Sequence, residues 1–240
     1  MSEWWEDMFE ATGWQQVQLG WDSVEDAEDQ VGRIERALQL EPGMRVLDVP
    51  CGTGRIASPL AARGYDVVGI DITDRFLEVA RARDDGVRYE KADMRELPFE
   101  AEFDAALCFW GSFGYFDDDG NLAQATAAAR ALRPGGRYLI DVLALESILA
   151  RFRDRHWFEV EGTVVLEDRS FDIATSRIET SWTFLRDGQR AEHRSSMRLY
   201  PVKDLTDLLV EAGFTSFVAP DDGLEPFELD SHRLWLVATR

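Results

Sequence analysis

Two glycines and three aspartates carry the chemistry that is easiest to recognise in this chain. Gly52 and Gly54 stand in the stretch VLDVPCGTGRI, directly after a short apolar run that ends at Asp48. Asp71 and Asp93 end two further strand-like runs, YDVVGID and VRYEKAD. Glycines between a strand and a helix let the backbone approach a ligand, and the first N–H groups of the helix are free to bind it. The pattern therefore predicts a ligand site bordered by three carboxylates.

Taken alone, the glycine loop is compatible with several ligands and also with none. Gly52, Gly54 and Ala57 satisfy the G-x-G-x-x-G/A pattern of dinucleotide-binding proteins, while a tight strand-to-helix turn uses glycine in the same way. An acid about 20 residues past such a loop, at a strand end, is placed to bind ribose hydroxyls, and Asp71 meets this condition. Each aspartate taken singly is also compatible with a helix N-cap. Three acids that end successive strands are better explained by a ligand site.

Alternating strand and helix patterns between residues 42 and 142 must position these side chains. We predict strands in MRVLDV, YDVVGID, VRYEKAD, FDAALCFW and RYLIDVL, and helices in RIASPLAARG, DRFLEVARAR and NLAQATAAARALRPGG. Such alternation indicates a parallel sheet with helices on both faces. In an open sheet of this kind, ligands bind at the carboxyl edge of the strands. The three aspartates are expected at that edge.

The segments that flank this region have different patterns. Residues 1–41 are predicted to be helical and to form a lid, although packing of their tryptophans on the sheet edge is an equal alternative. These tryptophans are Trp4, Trp5, Trp14 and Trp21. Within the remaining core, 42–240, residues 150–200 are rich in Val, Ile, Thr and aromatic residues, with turn signals at 171–172 and 187–188, and they predict an antiparallel β insertion after strand 5. The helix VKDLTDLLVEAG and the strands FTSFVAP and HRLWLVATR complete a doubly wound, mostly parallel, seven-stranded α/β sheet.

Composition limits the function classes. The 240 residues include 26 basic and 46 acidic residues, for a formal net charge of −20. Such a surface repels phosphate backbones, so we expect no nucleic-acid partner. We find no apolar run long enough for a membrane helix and no signal peptide in MSEWWEDMFE, so we expect no membrane partner and a cytoplasmic location. The two cysteines form neither a disulfide framework nor a metal-finger spacing.

The motifs together resemble those of class I S-adenosylmethionine-dependent methyltransferases. DVPCGTG is similar to their first motif, VVGIDIT to the second, ADMRELPF to the third and ALRPGGRYLIDV to the stretch that enters the fifth strand. FWGSFGYF resembles the segment after the fourth strand in members that methylate small molecules. Pro50 departs from the pattern, since glycine is often found there. The resemblance implies a Rossmann-like methyltransferase fold, S-adenosylmethionine as the cofactor and a small-molecule methyl acceptor.

The resemblance also implies a role for the glycine loop and for the segment after the fourth strand. Gly52 and Gly54 would face the methionine part of the cofactor, and Asp48 would lie behind the loop near the amino group. Phe109 and Trp110 would line the cofactor near the transferred methyl group. The methionine part of the cofactor and its transferred methyl group are thus assigned to two different loops.

The nucleoside part of the cofactor is assigned to the second and third strands. By the same resemblance, Asp71 would bind both ribose hydroxyls, with Ile72 beside the adenine. Asp93 would accept a hydrogen bond from the adenine amino group, and Met94 would stack on the ring. These four residues complete the predicted cofactor site.

Methyl transfer needs few catalytic groups. It is an in-line displacement, for which the enzyme aligns the nucleophile, the methyl carbon and the sulfur and excludes water. A general base helps when the acceptor is a protonated amine or a phenol. His156 and Tyr115 are the candidate catalytic residues, with an ordinary histidine and a packed tyrosine as the alternatives. The run DDDGN at 117–121 contains oxygen ligands for a hard cation, but acids before a helix are typical of an N-cap, and we predict no metal site.

Two other functions share part of this pattern. A nicotinamide-dependent oxidoreductase explains Gly52, Gly54 and Asp71 but neither Asp48 nor Asp93. A non-catalytic cofactor-binding protein with the same fold explains all of them, since a fold does not guarantee chemistry. The leading hypothesis is methyl transfer to an O or N atom of a small molecule. The sequence leaves the acceptor and the oligomeric state open.

Overall fold

The computed structural model describes residues 3–11, 13–14, 17 and 27–240. Trp21, one of the tryptophans of the predicted lid, lies outside the described residues. The chain divides into two compact units. The larger unit consists of Ala27–Ala150 and Tyr200–Arg240, and the smaller unit consists of Arg151–Leu199 with the described residues before Ala27. Each unit is described by itself below.

The helices and strands follow the predicted alternation. Within the described residues, the helices with defined bounds are α1 (Trp4–Phe9), α2 (Ala27–Leu38), α3 (Ala57–Ala62), α4 (Asp74–Arg81), α5 (Asp118–Ala131), α6 (Leu145–Ala150) and α7 (Val202–Glu211). The strands are β1 (Arg45–Asp48), β2 (Asp66–Asp71), β3 (Arg88–Lys91), β4 (Phe103–Cys108), β5 (Leu132–Val142), β6 (Arg155–Val160), β7 (Thr163–Asp172), β8 (Arg177–Arg186), β9 (Gln189–Arg198), β10 (Ser216–Val218) and β11 (Leu234–Thr239).

The larger unit is built on a seven-stranded sheet in the order β10-β11-β5-β4-β1-β2-β3. Strands β1 to β5 pair in parallel, and β11 pairs antiparallel with both β5 and β10. The strand order reverses between β1 and β4, and the crevice at such a reversal is where open α/β sheets bind ligands. The predicted fold class is confirmed.

Helices cover both faces of this sheet because successive strand residues are apolar on alternate sides. In β4, Ala105 and Leu107 join the core on one face, and Ala106 and Cys108 join the core on the other. The first core also contains the apolar face of α2, which consists of Val31, Ile34 and Leu38. Residues of α3 and α4 complete this core. The second core contains the alanines of α5 and the leucines of α7. The arrangement is doubly wound, as predicted.

The junction of α5 and β5 differs from the prediction. We expected Pro134-Gly135-Gly136 to close the helix, but it ends at Ala131 and β5 already begins at Leu132. A bulge of residues 133–136 in β5, opposite Asp104 alone, lets β5 pair with β4 on either side of Pro134-Gly135-Gly136. Gly135 takes a φ of 82°, and its N–H donates to the carbonyl of Arg240. The helix also begins three residues earlier than predicted, at Asp118.

The smaller unit contains a four-stranded antiparallel sheet in the order β6-β7-β8-β9. The turn signal at Asp187-Gly188 joins β8 to β9, and both residues have positive φ. The signal at 171–172 is wrong, because these residues still pair within the β7–β8 ladder. A tight turn at Glu161-Gly162, with φ of 47° and 74°, separates β6 from β7. The described part of the N-terminal segment contributes Trp14 and Val17 to the small core of this unit.

Asp117 is expected to stabilise α5 as its N-cap. Its side chain accepts a hydrogen bond from the Gly120 N–H at 2.8 Å, so Asp117→Ala should cost about 1 kcal/mol, or a fall of about 2–4 °C in the midpoint of thermal unfolding. Asp119→Ala is the control, since it removes only a first-turn charge, worth roughly 0.3–1 kcal/mol. Equal midpoints for the two variants would contradict the capping role.

Candidate functional site

Parallel pairing brings the predicted acids to one edge of the sheet. Asp48 ends β1 and Asp71 ends β2, both are buried, and the two strands are neighbours in register. Asp93 lies two residues beyond the end of β3, which pairs with β2. The first two acids are therefore adjacent at the carboxyl edge, and the third follows on the next strand.

The Asp71 carboxylate holds the glycine loop against β2. One of its oxygens accepts the Gly52 N–H at 2.9 Å and the other accepts the Thr73 N–H at 2.8 Å. The Cys51 N–H donates to the carbonyl of Ile70 at 2.8 Å, so the loop is fixed to β2 at two consecutive residues. The Thr73 side chain and the Ile72 N–H also donate hydrogen bonds to this carboxylate, so Asp71 holds both the glycine loop and the residues that follow β2.

The two glycines of the motif are required for different reasons. A Cβ built on Gly52 would meet no described residue within 4 Å, so this position borders open space beside the loop. A Cβ built on Gly54 would lie 2.9 Å from Cζ of Tyr89, whose hydroxyl donates to Asp85 at 3.0 Å. Both glycines have positive φ, 53° and 81°. Gly52 leaves room next to the loop, whereas Gly54 leaves room for a core tyrosine.

Asp48 is a buried carboxyl group with an incomplete set of partners. It is only 2% exposed, and its Oδ2 has no hydrogen-bond partner among the described residues. Burial raises the pKa of Asp48 to about 8, although the nearby Arg55 guanidinium opposes this and Asp71 adds to it. A buried carboxyl group with this pKa favours a cationic partner, which would stabilise its ionised form.

Asp93 has a different environment. Burial would raise its pKa, but hydrogen bonds from the side chain and the backbone N–H of Arg95 outweigh this and hold the pKa below its usual range. The Arg95 guanidinium also lies over the ring of Phe116, 4.2 Å from its centroid. Met94 and Ile72, the predicted neighbours of the adenine, are partly buried at the same edge.

The segment after β4 lies beside the glycine loop. The Val49 N–H donates to the carbonyl of Leu107 at 3.0 Å, which joins the ends of β1 and β4. Phe109 is buried against Trp235, with ring centroids 5.4 Å apart. Trp110 lies under the Arg55 guanidinium, 4.6 Å from its ring centroid. The structure thus brings Trp110 next to the residue that follows the glycine motif.

The two candidate catalytic residues lie in different units. Tyr115 is half-buried in the segment after β4, and burial raises the pKa of its phenol. His156 lies on β6 of the smaller unit, where its side chain is 44% exposed and its Nδ1 is 3.7 Å from the buried carboxylate of Glu167. The catalytic role of each residue stays a prediction.

Sequence reasoning missed Asp141 and Arg233 at this edge. Asp141 lies near the end of β5 and binds the Arg233 guanidinium, with Oδ1 2.5 Å from Nε. The signal for Asp141 was available, because it is a fourth acid at a strand end, in RYLIDV. Arg233 had no such signal, since its partner is 92 residues away along the chain.

No group of three or more His, Cys, Asp or Glu side chains within the described residues is arranged to hold a metal ion. Asp117 of the DDDGN run is the N-cap of α5, which is the alternative favoured from the sequence. In the described part of the chain, no helix is long and apolar enough to cross a membrane. Cys51 and Cys108 are free thiols, and both are buried.

Comparisons with known proteins agree with the fold. Residues 46–136 match the model of a family described as a methyltransferase domain. The putative methyltransferase YqeM of Bacillus subtilis is 28% identical over 180 residues, which are 71% of this chain and 73% of that protein. The ubiquinone biosynthesis O-methyltransferase of Dechloromonas aromatica is 34% identical over 116 residues, 46% of this chain and 48% of that protein.

A solved structure has the same architecture over nearly its whole length. An S-adenosylmethionine-dependent methyltransferase from Clostridium acetobutylicum superposes with a TM-score of 0.78 at 19% identity, covering 90% of this chain and 92% of that one. Fold and edge site define a Rossmann-like α/β protein with a ligand crevice between β1 and β4. The family model makes the definition narrower: residues 46–136 are similar to a methyltransferase domain, and the protein is an S-adenosylmethionine-dependent methyltransferase whose cofactor is S-adenosylmethionine.

Two features of the described residues suit this cofactor. S-adenosylmethionine is cationic at its sulfonium and at its amino group, and Asp48 is a buried carboxyl group with one oxygen unpartnered. The open space beside Gly52 leaves room for a ligand against the loop backbone. Both features lie at the carboxyl edge, where the acids meet.

The two motif glycines should respond differently to substitution. Gly54→Ala places a methyl group against Tyr89 and should lower stability by roughly 1–3 kcal/mol or more, the cost typical of overpacking. Gly52→Ala adds only the strain of a positive φ, about 1–2 kcal/mol, but fills the open space and should weaken binding of S-adenosylhomocysteine. Thermal unfolding and isothermal titration calorimetry measure the two effects.

Gly86→Ala is the matched control, because Gly86 also has positive φ and open space but precedes β3 at the opposite edge. It should lose as much stability as Gly52→Ala and bind the ligand normally. Equal affinities of Gly52→Ala and the wild type would contradict the assignment of the open space to the ligand.

Proposed function

We propose that this methyltransferase transfers the methyl group of S-adenosylmethionine to an O or N atom of a small-molecule acceptor. The observation that carries the proposal is the carboxyl edge itself, where buried acids surround a glycine loop that leaves open space at Gly52. When bound, the cofactor supplies a methyl group activated by its attachment to a sulfonium. The reaction is a direct in-line displacement that depends mainly on positioning.

The chain's own residues are proposed to bind the cofactor along the edge. Asp71 accepts the ribose hydroxyls at the point where its carboxylate also holds the glycine loop. The unpartnered Oδ2 of Asp48 faces the amino end, and the open space beside Gly52 takes the methionine chain. Gly54 contributes indirectly, because its missing side chain allows Tyr89 to support the loop.

Residues of the third strand and of the segment after β4 complete the proposed contacts. Asp93 accepts from the adenine amino group while Arg95 keeps it ionised, and Met94 and Ile72 flank the ring. Phe109 and Trp110 lie near the transferred methyl group and exclude water from it. Their positions are fixed by contacts with Trp235 and Arg55, respectively.

Several observations support a small-molecule acceptor. The ubiquinone biosynthesis O-methyltransferase, by its name, acts at oxygen in the synthesis of a small molecule. The segment after β4 reads Phe109-Trp110-Gly111 and lacks the Asn/Asp-Pro-Pro-aromatic motif of methyltransferases that act on DNA or protein amides. The net charge of −20 disfavours a nucleic-acid acceptor. A cytoplasmic location, a role for His156 as a base and a role for Tyr115 in positioning the substrate stay predictions.

A nicotinamide dinucleotide suits the same edge less well. Its pyrophosphate would lie at the glycine loop, where the carboxyl groups of Asp48 and Asp71 are both buried. A dianion beside Asp48 would keep this carboxyl group protonated and gain no charge pair, whereas the ammonium group of the methionine chain can pair with its ionised form.

Asp71 offers the direct test of the proposal. Asp71→Asn keeps one oxygen for the loop but removes the charge, and loss of hydrogen bonds to a charged group costs about 1.5–3 kcal/mol. We expect affinity for S-adenosylhomocysteine to fall by roughly 10- to 100-fold in isothermal titration calorimetry. Asp66→Asn is the control, since Asp66 is exposed at the other end of β2. Absence of binding by the wild type would refute the proposed function. Unchanged affinity in Asp71→Asn would refute the assignment of Asp71 to the ribose.

Ligand binding should release a proton from Asp48. With a pKa of about 8, this group is mostly protonated at pH 7 in the ligand-free protein. A cationic amino group beside it lowers the pKa, so affinity for S-adenosylhomocysteine should rise from about pH 6 to about pH 8, with release of up to about one proton per ligand. Calorimetry in buffers of different ionisation enthalpy measures the release.

Asp48→Asn is expected to abolish the proton release. The same variant should remove a loss of stability that the ligand-free wild type shows as pH rises from about 4 to about 8, because there the folded state keeps a proton that the unfolded state has lost. Equal proton release in the wild type and in Asp48→Asn would exclude Asp48 as the source.

A further inference from the structure

Asp141 connects three parts of the larger unit, namely β5, the segment after β4 and the segment before β11. Its side chain is 1% exposed. One oxygen, Oδ1, accepts from Nε of Arg233 at 2.5 Å, and the other, Oδ2, accepts from Nη2 of Arg233 at 2.9 Å and from the Trp110 N–H at 2.8 Å. A buried carboxylate that is paired in this bidentate way is fully compensated, and it can therefore serve as a rigid anchor.

The anchored segment has a strained backbone. Trp110 has a φ of 63° and Gly111 a φ of 71°, so two consecutive residues are in the left-handed region. For a bulky residue this conformation costs about 1–3 kcal/mol and persists only when the surroundings enforce it. Asp141 supplies both partners, because its carboxylate accepts the Trp110 N–H and its carbonyl accepts the Gly111 N–H at 2.9 Å.

The side chain of Trp110 is held at its other end. The Arg55 guanidinium lies 4.6 Å from the centroid of the indole ring and donates to Oε1 of Gln30 at 2.8 Å. Arg55 directly follows Gly54, so the ring is fixed against the glycine loop. The orientation of Trp110 thus depends on contacts at its backbone and at its ring.

We propose that Asp141 and Arg233 are positioning residues of the methyl-transfer site and that they act through Trp110. They hold the backbone of Trp110 in the left-handed conformation that places its ring beside the glycine loop. The inference rests on the proposed function in one respect, namely that Trp110 lines the cofactor. According to this inference, the conformation of the segment after β4 is determined by the charge pair between Asp141 on β5 and Arg233 before β11.

The test compares two aspartates that accept similar hydrogen bonds, one near the amino end of β4 and the other near the carboxyl end of β5. Asp141→Asn removes the charge that holds Arg233. Asp104→Asn is the matched control, because Asp104 also accepts a backbone N–H, from Arg45 at 2.8 Å, and a guanidinium, from Arg133 at 2.5 Å. Arg233→Lys keeps the positive charge but loses the two-pronged geometry. Each variant is measured for its unfolding midpoint and for its affinity for S-adenosylhomocysteine.

Fluorine NMR of protein labelled with 5-fluorotryptophan reports on Trp110 itself. The chain has eight tryptophans, and the signal of Trp110 is the one lost in Trp110→Phe. In Asp141→Asn we expect this signal to be displaced or split and the affinity to fall about tenfold. Arg233→Lys should fall between this variant and the wild type. Asp104→Asn should lower the midpoint without changing the Trp110 signal or the affinity.

Two results would overturn the proposal. One is an unchanged Trp110 signal and affinity in Asp141→Asn, or in Arg233→Lys if Asp141→Asn does not fold. The other is an equal change in Asp104→Asn, which would indicate general destabilisation. If the wild type does not bind S-adenosylhomocysteine, the proposed function fails, and the Trp110 signal of the ligand-free variants still decides whether Asp141 positions this residue.

Discussion

The candidate site depends on the two hydrogen bonds that the Asp71 carboxylate accepts from the backbone. They join the glycine loop at Gly52 to Thr73, the residue before α4, and each carboxylate oxygen accepts one of the two bonds. A loop N–H without such a partner would be costly to bury, so the loop conformation and the position of the acid determine each other. For this reason one residue both maintains the fold and borders the proposed ligand site, and its substitution is expected to affect both.

The four acids at this edge differ in how their charge is compensated. Asp141 is paired with Arg233 and Asp93 with Arg95, so neither needs a ligand. Asp71 is compensated by the N–H groups of Gly52 and Thr73, with further hydrogen bonds from the Thr73 side chain and the Ile72 N–H. Asp48 alone among the four has a buried oxygen without a partner in the described part of the chain. The unmet requirement for positive charge is therefore localised behind the glycine loop, where the amino end of the cofactor is proposed to bind.

Features decided by neighbouring residues were predicted from the sequence, and features decided by distant residues were not. The alternation of strands and helices and the acids at strand ends are local patterns, and the seven-stranded sheet followed from them. The early start of β5 depends on a bulge in β5 opposite Asp104 and on a hydrogen bond between Gly135 and Arg240, more than 100 residues away along the chain. No local pattern reveals such a partner.

The same distinction applies to individual residues of the site. The sequence assigned both motif glycines to the ligand, yet the space at Gly54 is taken by Tyr89, which lies on β3. Asp141 ended a strand in a visible way, but its importance follows only from the contacts with Trp110 and Arg233. A motif thus combines constraints from the ligand with constraints from packing, and only the structure separates them.

Pro50 illustrates how the loop tolerates a departure from the family pattern. Proline has no N–H to donate, which would be a defect if the loop needed a donor at that residue. The residues on either side provide the anchors instead, since the Val49 N–H binds Leu107 and the Cys51 N–H binds Ile70. The loop is therefore anchored by the N–H groups directly before and after Pro50, and it does not depend on a donor at Pro50 itself. In this chain the path of the loop is fixed by β4 on one side and β2 on the other.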